Sequence, residues 1–122
     1  MSAILNLKTL KVLDPPGDPG SHIELQLEII LGPNVRYIPS ERGKGHSIDK
    51  KAGTIWHINE SIQINGNATI ILWETDTGSD DNYGSRTVST KPTNCDDPIN
   101  CILSYGRQND CSFILSYSVS DG

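Results

Sequence analysis

The segment His22 to Leu31 alternates apolar and polar side chains more cleanly than any other part of the chain. Ile23, Leu25, Leu27 and Ile29 point one way, and His22, Glu24, Gln26 and Glu28 the other. A period of two marks a strand with one face in a core and one in water, the usual state of an antiparallel sheet. No segment sustains a helical period, and no internal repeat is visible. The fold must therefore be assembled from strands.

The other strands follow from the same pattern. Ile4 to Leu13 alternates through Ile4, Leu7, Leu10 and Val12, with one slip in register. Val35 to Ile38 is a short strand ended by Pro39, Thr54 to Ile58 is another, and Ser61 to Ile64 continues it or begins a new one. Asn65-Gly66 predicts a two-residue hairpin turn, because both residues tolerate positive φ. Thr69 to Trp73 and Gly84 to Thr90 are strands, and Cys111 to Val119 closes the chain with Cys111, Phe113, Leu115, Tyr117 and Val119 on one face. Trp56 and Trp73 lie within apolar strands and read as core residues. Between these elements, Asp14 to Ser21 is a loop, with three prolines and two glycines in its first seven residues. Ser40 to Lys51 reads as a solvated loop holding the basic cluster Arg42, Lys44, Lys50 and Lys51. Lys91 to Asp110 reads as mostly irregular, with Ile99 to Tyr105 its apolar patch. About eight short strands with frequent turn signals predict one antiparallel β-sandwich domain over residues 1–122.

At 122 residues the chain can bury one core without staples. Its 10 Lys and Arg against 15 Asp and Glu give a net charge of −5, which argues against nucleic acid as a partner. No apolar run is long enough to span a bilayer. The N-terminus lacks a basic start and long apolar core, so the expectation is a cytosolic chain or a mature chain without its leader. Cys95, Cys101 and Cys111 leave at least one thiol unpaired in a monomer. Either Cys95 and Cys101 close a small ring or all three are thiols in a reducing compartment; the spacings do not suit zinc. Asn59-Glu60-Ser61 and Asn67-Ala68-Thr69 are glycosylation sequons that matter only in a secreted chain. No Gly-x-Ser-x-Gly, phosphate loop or His-Glu-x-x-His occurs, and His22, His46 and His57 have no adjacent nucleophile, so the chain is not expected to be an enzyme.

The stretch Ala68 to Val88 carries the functional signal. Glu74, Asp76, Asp80 and Asp81 place four carboxylates within eight residues, and such mutual repulsion calls for a hard cation. Glu74 and Asp76 share a side if strand geometry persists, and Gly78 lets the chain return to Asp81. A second acidic loop holds Asp14 and Asp18, and loops at one end of a sandwich can share ions. The expected cofactor is calcium, with Asp14, Asp18, Glu74, Asp76, Asp80 and Asp81 as candidate ligands.

Leu72-Trp73-Glu74-Thr75-Asp76, followed by Ser79-Asp80-Asp81-Asn82-Tyr83-Gly84, resembles the third calcium loop of the C-two (C2) domain family. Asp14-Pro15-Pro16-Gly17-Asp18-Pro19, set between two strands, is similar to that family's first calcium loop. The resemblance implies an eight-stranded antiparallel sandwich binding calcium, and often a phospholipid surface, at one end. It implies Asp14 and Asp18 as first-loop ligands and Glu74, Asp76 and Asp81 as third-loop ligands. The sequence departs from the family pattern in having Glu at 74, a closer Asp14–Asp18 spacing, a shorter third loop and no large apolar residues at the loop tips. Three readings follow: a calcium-dependent module for a lipid surface or protein partner; a lectin-like carbohydrate-binding sandwich using Trp56, Trp73, Tyr83 or Tyr105; or an accessory domain of a larger toxin or effector assembly.

Overall fold

The computed structural model describes residues 2–17, 20–75, 80–101 and 111–122. Among these, every regular element is a strand. They are β1 (Ala3–Asp14), β2 (His22–Leu31), β3 (Asn34–Ile38), β4 (His46–Asp49), β5 (Ile55–Ile64), β6 (Ala68–Glu74), β7 (Asp81–Val88), β8 (Thr93–Asn100) and β9 (Ser112–Asp121). A four-stranded sheet runs β5-β1-β9-β8, and a five-stranded sheet runs β3-β2-β6-β7 with β4 also paired to β2. All pairings are antiparallel. The inward residues of both sheets form one core, including Leu5, Leu10, Leu27, Ile70, Phe113 and Leu115. No helix of the described residues is long and apolar enough to cross a membrane.

The count exceeds eight because one edge strand is broken. β3 pairs with Leu27 to Leu31 of β2, while β4 pairs with His22 to Leu25. The loop between them is tied down by Gln26, which alternation places on the wet face and which is in fact buried at 2% exposure. The two hydrogens of Gln26 Nε2 are shared among the carbonyls of Pro39 at 2.9 Å, Glu41 at 2.8 Å and Lys44 at 3.3 Å, and Gly43 N donates to Gln26 Oε1 at 3.1 Å. A side-chain amide thus satisfies backbone groups that a continuous strand would pair. Ser40 to Lys51 is accordingly part strand and part anchored loop, not a free solvated loop.

The slip in β1 is a bulge. Against β9, Leu7 pairs with Tyr117 and Thr9 with Ser116, leaving Lys8 as the extra residue on β1. Against β5, Leu7 pairs with Glu60 and Thr9 with His57, leaving an extra residue on β5, where Asn59 has φ 52°. That left-handed residue lets β5 run unbroken through both expected segments.

Three sequence expectations are corrected. Asn65-Gly66 does not turn a hairpin, because β5 and β6 lie in different sheets and neither residue has positive φ. It makes a corner from one sheet to the other. Residues 93–100 form β8 despite their polar composition. β8 is an edge strand with β9 on one side, a position that tolerates Asp96, Asp97 and Pro98. The disulfide joins Cys101 to Cys111, with Cα atoms 5.0 Å apart, and Cys95 is free. The pair is set by strand geometry: Cys101 N donates to Cys111 O at 2.8 Å, closing the mouth of the β8–β9 connection. The remainder of the expected apolar patch, residues 102–105, lies outside the described residues.

Candidate functional site

The site is assembled at one end of the sandwich by register. β1 ends at Asp14, paired with Ser112 at the start of β9. Pro15 then leads through the loop into β2, whose Leu25 pairs with Glu74 at the end of β6. Glu74 in turn pairs with Asp81 at the start of β7. The Asp14 loop and the loop between Glu74 and Asp81 therefore emerge at the same end, as the sequence predicts. The β4–β5 loop joins them there: Lys50 N donates to Ser21 O at 2.7 Å, and Gly53 N to Val12 O at 2.8 Å.

The β6–β7 connection is held from below. Thr75 is buried, its N–H donates to Glu24 O at 2.8 Å, and its Oγ1 accepts from Gly45 N at 2.9 Å. On β7 the register shifts, since Leu72 pairs with Gly84 and Trp73 with Asn82, leaving Tyr83 as the extra residue. Gly84 takes φ 138°, and its N–H donates to Asn82 Oδ1 at 2.9 Å. The bulge turns Tyr83 inward, where it stacks on Phe113 with ring centroids 5.9 Å apart. Its hydroxyl donates to Glu74 Oε2 at 3.3 Å.

The six candidate ligands divide accordingly. Glu74 is buried at 8% exposure on the inward face of β6, with Asp81 half-buried opposite it. Paired residues share a face, and like charges directly opposite are destabilising. Asp14 and Asp80 are exposed at the same end. Asp18 and Asp76 lie outside the described residues, as does Gly78. Among the described residues, no group of three or more His, Cys, Asp or Glu stands together as a metal site. What the described chain supplies is the Glu74–Asp81 pair, with Asp80 next to it along the chain and Asp14 at the same end.

The proposed sugar platforms fare differently. Trp56 is buried and stacks on His46, centroids 5.2 Å apart and 15° between planes. Tyr83 is buried too, and Tyr105 lies outside the described residues. Trp73 departs from its expected core role. It is half-buried, and its Nε1 donates to Glu28 Oε1 at 3.0 Å. In the alternation of β6, Trp73 falls between the buried Leu72 and Glu74, so its side chain takes the outer face.

Sequence reasoning missed Tyr83 as a partner of Glu74 and Gln26 as a loop anchor. A glycine inside a strand pattern, here Gly84, is the signal that could have revealed the bulge.

No protein-family model matches the sequence, and no curated protein matches it. Solved structures do. One is a chain of CC2D1B, described as coordinating ESRCT-III activity during the mitotic reformation of the nuclear envelope. It has TM-score 0.57 and 9% identity, covering 98% of this chain and 54% of its own. Another is a C2 domain, with TM-score 0.54 and 15% identity, covering 97% and 98%. A third is a C2 domain of plant Extended Synaptotagmin 1, with TM-score 0.52 and 9% identity, covering 95% and 92%. The chain thus spans about half of the first of these structures and nearly all of the other two. Identities this low establish the fold alone, a divergent C2-like β-sandwich.

Proposed function

We propose that this C2-like sandwich is a non-catalytic binding module whose acidic loop end takes up calcium and then engages an anionic lipid surface or protein partner. The observation that carries the reading is the Glu74–Asp81 register, which pairs two acidic residues across β6 and β7 at the end of the sandwich where β1 finishes in Asp14. Tyr83 donates one hydrogen bond to Glu74, and a divalent cation bound there would attract both carboxylates.

Calcium takes about six to eight oxygens from carboxylates, carbonyls and water. In this reading Glu74, Asp81 and Asp14 are the described ligands, and Asp18 and Asp76, which lie outside the described residues, are the ligands the sequence adds. The bound ion supplies positive charge at a surface that is otherwise acidic, so phosphate or carboxylate groups of a partner can approach. The loop tips carry no large apolar side chains, so docking rests on charge and weakens as salt rises.

Sedimentation with vesicles of phosphatidylserine and phosphatidylcholine tests the second step. Binding should require calcium and fall with added salt. Sedimentation that is equal in calcium and in chelator would contradict the reading.

A further inference from the structure

We propose that the outer face of the five-stranded sheet carries a second, calcium-independent site, a pocket for a single neutral sugar ring built by Trp73, Tyr37, Glu28, Arg42 and Asp80. It shares no residue with the carboxylate pair between the sheets and rests on separate observations. Asp80, a candidate calcium ligand by sequence, lines this pocket instead.

The pocket has a volume of about 200 Å³. Drug-sized ligands fill about 300–1,000 Å³, so this space suits one small ring. Its aromatic walls are fixed before any ligand arrives. Glu28 Oε1 accepts the Trp73 Nε1 hydrogen at 3.0 Å, and Glu28 Oε2 accepts the Tyr37 hydroxyl hydrogen at 3.1 Å. One carboxylate therefore orients two aromatic rings. Partial burial, the Glu28 hydrogen bond and its charge together raise the Tyr37 phenol above its ordinary pKa, with the Arg42 charge acting against them. The phenol thus stays protonated and keeps donating. The loop bearing Arg42 is pinned by the hydrogen bonds of Gln26. For the two aromatic rings, ordering costs that a flexible site would incur on binding are already met.

The lining chooses among ligands. Arg42 disfavours a cation held between the rings, the arrangement that aromatic cages use. Two carboxylates, Glu28 and Asp80, against one guanidinium disfavour a polyanion. A purely apolar ligand would strand Arg42 and Asp80, neither of which has a hydrogen-bond or ion-pair partner among the described residues. A sugar ring meets each demand. Its C–H face lies on an aromatic face, while neighbouring hydroxyls accept from Arg42 and donate to Asp80.

The test is saturation-transfer NMR and tryptophan fluorescence on the intact chain in chelator. The probes are the methyl glycosides of glucose, galactose, mannose and N-acetylglucosamine, with tetramethylammonium and inositol trisphosphate as comparisons. At least one glycoside should give saturable transfer at millimolar concentration, unchanged by calcium. Arg42→Ala and Asp80→Ala, both at exposed positions, should keep the melting temperature and weaken that binding by about ten-fold or more. The proposal fails if no glycoside responds at tens of millimolar. It fails equally if both variants bind as tightly as the parent, or if only tetramethylammonium or inositol trisphosphate saturates.

Discussion

Gln26 shows how one side chain decides local architecture. Its amide holds three carbonyls and an amide N–H of the loop between β3 and β4. Gln26→Leu keeps the volume but leaves those groups unpaired, and should destabilise the fold by about 1–3 kcal/mol in denaturant melts. Cleavage by a protease should appear within residues 39–45 of that variant. The polar alternation of β2 could not distinguish Gln26 from Glu24 or Glu28, because burial here comes from a loop folding back over the sheet. Tyr117 gives a pH prediction. Burial, the 2.7 Å hydrogen bond to Asp97 and that carboxylate's charge raise its phenol well above the usual value, with Cys95 contributing less. The fold then holds the phenolic proton more tightly than the unfolded chain does. That contribution is full below about pH 10, the unfolded value, and is lost as pH rises through the higher folded value. Above pH 10 the parent should lose stability more steeply than Tyr117→Phe; parallel losses in denaturant melts would refute this.

At the scale of elements, the β6–β7 bulge and the β8–β9 closure do the positioning. A Cβ at Gly84 would sit 2.9 Å from Ile99 Cγ2, at a φ of 138° that L side chains rarely adopt. Gly84→Ala should therefore cost about 1–3 kcal/mol and loosen the edge where β7 meets β8, read as faster amide exchange in both strands. Cys101 and Cys111 close a connection with a sequence separation of 10. Reduction should cost about 2.7 kcal/mol on the chain-entropy estimate, and a melting temperature unchanged by reductant would contradict the bond. Strands with a buried apolar face, such as β2 and β9, were legible because burial imposes their period. β8 was not, since an edge strand bonded on one side needs little apolar content. Asn65-Gly66 misled for another reason: a turn signal reports local φ preference, while sheet membership is set by long-range pairing of β5 with β1 and β6 with β2.

For the whole molecule, the sandwich brings Asp14 and the Glu74–Asp81 pair to one end by connectivity alone. That Asp14 and Glu74 stand at one end was readable because acidic loops stood out from the alternating strands. The inward turn of Tyr83 onto Glu74 was not, because it depends on a register shift between two strands. The central claim is that this end binds calcium, and thermal melting in calcium against chelator tests it most directly. An ion bound only by the folded chain, at about ten times its dissociation constant, adds about 1.4 kcal/mol and should raise the midpoint by about 4–6 °C. Asp81→Asn should abolish most of that rise while leaving the chelator midpoint unchanged or slightly higher. Coincident melts of the parent chain at millimolar calcium and in chelator would contradict the account.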